Sequence, residues 1–153
     1  MTEIGSPAPD AAFTRPDGSP AKVSDYKGKA LVLYFYPKDA TSGCTREAQD
    51  FTALAADFAA VGAVILGVSK DSEKSHQKFI DKYELAVELG TDGDGSLCDA
   101  FGVWVEKSMY GKKYMGIERA TFLIDAEGRV ARIWRKVKVP GHAAEVLEAV
   151  RAL

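Results

Sequence analysis

The chain has 153 residues, 46% of them hydrophobic and 27% charged, with a formal net charge of −2. That length and balance suit one globular domain with a genuine core, and give no electrostatic reason for a nucleic-acid or membrane-surface partner. The longest apolar run, Leu31 to Tyr36, is too short to span a bilayer, and the first five residues carry neither the basic nor the apolar part of a targeting peptide, so a cytoplasmic location is expected.

In chain order, Phe13 to Pro20 reads as a short strand entering a Pro/Gly turn. Ala30 to Tyr36 (ALVLYFY) is a continuous apolar run, the pattern of a strand buried on both faces, and Pro37 stops it because proline cannot donate to a ladder. Apolar residues at 48, 51, 54, 55 and 58 predict one amphipathic helix over Thr45 to Ala60. Ala63 to Val68 is a second buried strand. Ser72 to Lys82 reads as a helix with Asp71 or Ser72 as N-cap, its histidine, His76, on the polar face. After the turn Asp92-Gly93-Asp94-Gly95, Leu97 to Phe101 is a short helix, and Glu106 to Glu118 reads as a mobile surface loop. Ala120 to Ile124 and Arg129 to Arg135 predict a hairpin. Gly141 to Leu153 closes the chain as a helix with Ala144, Val146, Leu147 and Val150 on its apolar face, and His142 in its first turn. The alternation predicts an α/β fold of one unit, residues 1–153, with a mixed central sheet flanked by helices.

Two cysteines, Cys44 and Cys98, and two histidines are scattered without a metal-ligand spacing. Cys44 stands where a buried strand hands over to a helix, so free N–H groups and the positive end of the helix dipole point at its sulfur. A helix end contributes about 0.3–1 kcal/mol to an anion, too little to ionise a thiol fully, so a cation is needed as well. Arg46 is adjacent in sequence, and Arg119 stands at the start of a later strand.

Pro37-x-x-x-Thr41-x-x-Cys44 matches the active-site signature of the peroxiredoxins. Leu33 to Asp39, Gly43 to Glu47, Gly67 to Asp71, Phe101 to Trp104 and Arg119 to Asp125 resemble the PrxQ, or bacterioferritin comigratory protein, subfamily over essentially the whole chain. The resemblance implies a thioredoxin-like fold and a thiol-dependent peroxidase. It implies Cys44 as the cysteine that attacks hydrogen peroxide or an alkyl hydroperoxide, Thr41 and Arg119 as its activating partners, and Pro37 as a shield from water. No organic or metal cofactor is implied. In such a site the N–H groups of Gly43 and Cys44, the Thr41 hydroxyl and an arginine would cradle the peroxide while one oxygen departs, and Glu47 would orient the arginine.

The chain departs from the subfamily at Ser42, where a proline is usual, and at Gln49 and near Ile80, the two usual positions of a second, resolving cysteine. Cys98 occupies neither position; it is either a packed core residue or a resolving thiol. The favoured expectation is a one-cysteine route in which thioredoxin, glutaredoxin or a small thiol reduces the Cys44 sulfenic acid, in a monomer or weak homodimer. The alternatives are a two-cysteine route through Cys98, and a non-enzymatic redox sensor or holdase. A thioredoxin-like disulfide reductase is disfavoured, because Thr41 and Glu47 occupy the positions a Cys-x-x-Cys partner would take.

Overall fold

The structure is a computed structural model that describes residues 2–153. Its frame is a seven-stranded sheet. In chain order the strands are β1 (Ala12–Thr14), β2 (Pro20–Lys22), β3 (Ala30–Phe35), β4 (Ala63–Ser69), β5 (Glu88–Thr91), β8 (Ala120–Ile124) and β9 (Val130–Trp134). They lie in the order β2-β1-β5-β4-β3-β8-β9. β3, β4 and β5 run parallel, and β8 returns antiparallel to β3 with Phe35 opposite Ala120. The mixed α/β sheet expected from the sequence is therefore present. β3 lies inside the sheet between β4 and β8, and every residue in it is buried.

The sheet separates two cores, and β3 feeds both by the alternation of a strand. Val32, Tyr34 and, just beyond the strand, Tyr36 face a layer formed by α1 (Ser42–Ala53), α2 (Ala55–Ala60), α3 (Glu73–Tyr83) and α5 (His142–Arg151), which contributes Phe51, Phe58, Phe79 and Val146. Leu31, Leu33 and Phe35 face the other way, against Leu97, Cys98 and Phe101 of α4 (Ser96–Ala100) and its C-terminal end, with Phe13 and Ile117.

Four expectations need correction. The single helix over Thr45 to Ala60 begins earlier, at Ser42, and divides at Leu54, whose N–H turns to the Phe51 carbonyl in a tightened turn before α2 resumes. Glu106 to Glu118 is an ordered two-stranded ribbon rather than a loop, β6 (Trp104–Met109) paired with β7 (Lys112–Ile117). It reverses at Tyr110-Gly111, both left-handed, which is the geometry of a tight hairpin turn; its polar sequence reflects exposure, with Tyr110 at the tip 99% accessible. Ala144 is exposed, and His142 and Ala143 join the buried face of α5 instead. His76 is wholly buried, because α3 turns His76 and Phe79 inward together.

Candidate active site

Cys44 sits in the first turn of α1, 2% exposed. The first bond of that turn runs from the Thr45 N–H to the Thr41 carbonyl, so the N–H groups of Gly43 and Cys44 precede the helical ladder and are free to face an anion. β3 ends at Phe35, and six residues carry the chain from its last rung into α1. Because Ala120 pairs with Phe35, Arg119 lies level with the end of β3, where this loop begins.

From there the guanidinium reaches across the helix start. Its Nη2 donates to Cys44 Sγ at 3.3 Å and its Nη1 to Glu47 Oε1 at 2.7 Å. The side chains are 18% and 2% exposed, so the ion pair is largely out of water. Burial pushes the Glu47 carboxyl up to about 7 against the pull of Arg119. Burial also works against the Arg119 charge, but Glu47 and Cys44 more than offset it and the guanidinium holds its proton more tightly than usual. Arg119 therefore remains a fixed cation against the sulfur.

Gly43 gives that guanidinium room: a Cβ at this position would stand 3.2 Å from Arg119 Nη2. Arg46 is not the cation, since it turns to solvent and pairs with Asp50 at 3.0 Å. One expected member of the cradle is elsewhere. The Thr41 hydroxyl donates to the Lys38 carbonyl at 2.8 Å and is exposed, because the turn entering α1 uses it to satisfy a loop carbonyl. Pro37, expected as the shield, is exposed.

Sequence reasoning missed Tyr34. Its ring lies against Gly67 on β4, whose missing side chain admits it, and stacks on Phe51 with ring centres 4.9 Å apart. The hydroxyl is buried with no protein hydrogen-bond partner, as is Glu47 Oε2. Burial raises the phenol first, and the nearby Glu47 and Cys44 raise it further, so it stays a neutral potential donor beside the site. The signal was available in the β3/β4 register, which sets Tyr34 opposite Gly67.

Cys98 is on the far side of the sheet. It is fully buried in the second core, and its backbone N–H donates to Asp92 at 2.8 Å. Burial, then Asp92, push its thiol well above the usual range, which favours the protonated form.

A sulfur at a helix start, an arginine bound to both sulfur and carboxylate, and a thioredoxin-like sheet beneath them define a thiol peroxidase. The chain belongs to the AhpC/TSA family, whose profile matches residues 4–133. Within it the chain is a peroxiredoxin of the PrxQ/BCP group. It is 53% identical to peroxiredoxin Bcp of Bacillus subtilis over 149 residues, covering 97% of this chain and 95% of that one. Among solved structures it is similar to the Xanthomonas campestris bacterioferritin comigratory protein, a protein studied for alkyl peroxide reduction. That match has a TM-score of 0.90 at 49% identity and covers 99% of this chain and 97% of the other. A PrxQ mutant from Xylella fastidiosa superposes with a TM-score of 0.93 at 42% identity, with 99% and 97% of the two chains covered.

Proposed function

We propose that Cys44 is the peroxide-reacting cysteine of a one-cysteine cycle, with Arg119 as its activating partner and Glu47 as the residue that holds the arginine in place. The observation that carries this reading is the 3.3 Å contact between Arg119 Nη2 and Cys44 Sγ at the start of α1. The thiolate attacks the nearer oxygen of hydrogen peroxide or an alkyl hydroperoxide and the O–O bond breaks. The outer oxygen leaves as hydroxide or alkoxide and takes a proton, and Cys44 becomes the sulfenic acid. Arg119 and the N–H groups of Gly43 and Cys44 hold the two oxygens in line and stabilise the charge on the departing one. Alkyl hydroperoxides belong in the substrate range because the Xanthomonas relative reduces alkyl peroxide.

An external thiol then attacks the sulfenate sulfur, expels water and leaves a mixed disulfide, which a second thiol resolves. Thioredoxin, glutaredoxin or a small thiol of a reducing cytoplasm suits that role. The one-cysteine route is supported by the separation of the sulfurs. Cys44 and Cys98 belong to cores on opposite faces of the sheet, while a disulfide needs Cα atoms about 7 Å apart or less. With Cys44 this buried, the start of α1 has to loosen before a thiol reaches it. Thr41 and Pro37 belong to the segment that moves.

The test is mass analysis without reductant after one equivalent of hydrogen peroxide, with a sulfenic-acid trap present. The expected product is an adduct on Cys44 with Cys98 still a thiol. A Cys44–Cys98 disulfide would overturn the one-cysteine route, and an unmodified Cys44 would overturn its assignment as the reacting residue.

A further inference from the structure

Behind the loop that leads to Cys44 lies a buried polar cluster that peroxide chemistry does not use. His76, 0% exposed, reaches from α3 with its Nδ1 2.7 Å from Asp39 Oδ2 and its Nε2 2.9 Å from the Gly90 carbonyl of β5. Both partners are acceptors: Asp39 has a lowered pKa, for although burial works against its charge, His76 and Tyr36 hold it ionised.

Asp39 is the anchor of the loop. Its Oδ1 accepts from the Tyr36 hydroxyl at 2.6 Å and its Oδ2 also accepts from Ser75 Oγ at 2.8 Å. Its own N–H donates to Asp71 Oδ2 at 2.8 Å. The next residue, Ala40, is left-handed with φ of 62°, a conformation an alanine adopts only when its surroundings hold it there. The loop is thus strained at one residue and fastened at its neighbour. The titratable groups around His76 are the Tyr36 phenol at the end of β3, Asp39 in the loop, Asp71 in the turn after β4 and Glu73 on α3. Its partner on β5 is a backbone carbonyl.

We propose that His76 is a positioning residue for the Cys44 reaction: clamped between Asp39 and Gly90, it latches residues 37–41 closed, and loss of the ring releases them. The latch rests on the peroxidase reading above for its purpose, since it holds the start of α1 in the peroxide-reacting arrangement and opposes the opened one in which oxidised Cys44 meets its thiol. When the ring is lost, Asp39 loses that partner, and the strain at Ala40 then favours opening.

The test uses the full-length reduced protein, with His76→Gln and the milder Ser75→Ala, which removes only the hydroxyl bond to Asp39. In His76→Gln, amide exchange over residues 38–44 should accelerate about tenfold or more, as loss of a charge-assisted hydrogen bond implies, with the amides of β3 unchanged. The rate constant for Cys44 oxidation by peroxide should fall with it, while single-turnover reduction of the sulfenate by a small dithiol stays equal or rises. Ser75→Ala should move each quantity the same way by a smaller factor.

Wild-type loop exchange in both variants, or oxidation and reduction rates that fall in parallel, would overturn the proposal. If wild-type Cys44 failed to oxidise at all, the peroxidase reading would fall, and the exchange measurements would still decide the latch.

Discussion

Replacing Glu47 by Gln separates the cost of a buried charge from the benefit of its partner. In the folded protein the Glu47 carboxyl is raised from 4.5 to about 7, burial outweighing Arg119. The folded state therefore binds this proton more tightly than the unfolded chain does. Its contribution to stability is fully present below the unfolded value, declines as pH rises from 4.5, and is lost above about 7. At about 1.4 kcal/mol per pH unit, the interval amounts to about 3 kcal/mol. Glutamine cannot ionise and its folding free energy lacks this decline. The stability of Glu47→Gln relative to the wild type should thus improve by about 3 kcal/mol between about pH 4 and about pH 8. Acidic groups with lowered pKa values, such as Asp39, titrate equally in both proteins and cancel in the difference. Urea unfolding at a series of pH values measures it. A difference that stays flat across this range, or that grows in favour of the wild type with rising pH, would refute the reasoning. The gain in stability should be accompanied by slower Cys44 oxidation, because Arg119 loses its charged anchor.

Three further outcomes are expected. Arg119→Met should lower the second-order rate constant for peroxide by about a hundredfold, the scale of one lost charge-stabilising donor, with Arg119→Lys recovering part of it in stopped-flow assays. Cys98→Ala should cost about 1–2 kcal/mol in urea unfolding through the small cavity it leaves, while turnover with an external thiol stays at the wild-type rate; loss of turnover would implicate Cys98 in the cycle. Gly67→Ala would place a methyl 2.5 Å from Tyr34 Cζ. It should destabilise the fold by about 1–3 kcal/mol or more through overpacking and slow peroxide reduction as the ring is driven off its seat; wild-type stability would mean that Tyr34 has room to yield.

The position of Cys44 was legible because it depends on local order alone: an apolar run, a proline and a helical period place the helix start within three residues of where it falls, Ser42 rather than Thr45. Arg119 was legible only through resemblance, since nothing in its own neighbourhood distinguishes it from an ordinary charge at a strand end; its partners are 72 and 75 residues away. His76 was misread because its helix is charged on most sides, although His76, Phe79, Ile80 and Tyr83 fall at the spacing of a buried helical stripe. β5 was missed because Glu88-Leu89-Gly90-Thr91 is short and contains a glycine, which there makes way for Phe13 (2.6 Å from where a Cβ would be) rather than breaking the strand. The β6/β7 ribbon was mistaken for a loop because a two-stranded element outside the main sheet has little core to face, and so little alternation to display.

The two cores turn the pair of cysteines into an internal gauge of how far the molecule has opened. An alkylating reagent reaches Cys44 when a single helical turn loosens, but reaches Cys98 only when the second core comes apart. Timed labelling with readout by mass would report frequent local breathing from one sulfur and rare global unfolding from the other, within a single sample and without any introduced probe.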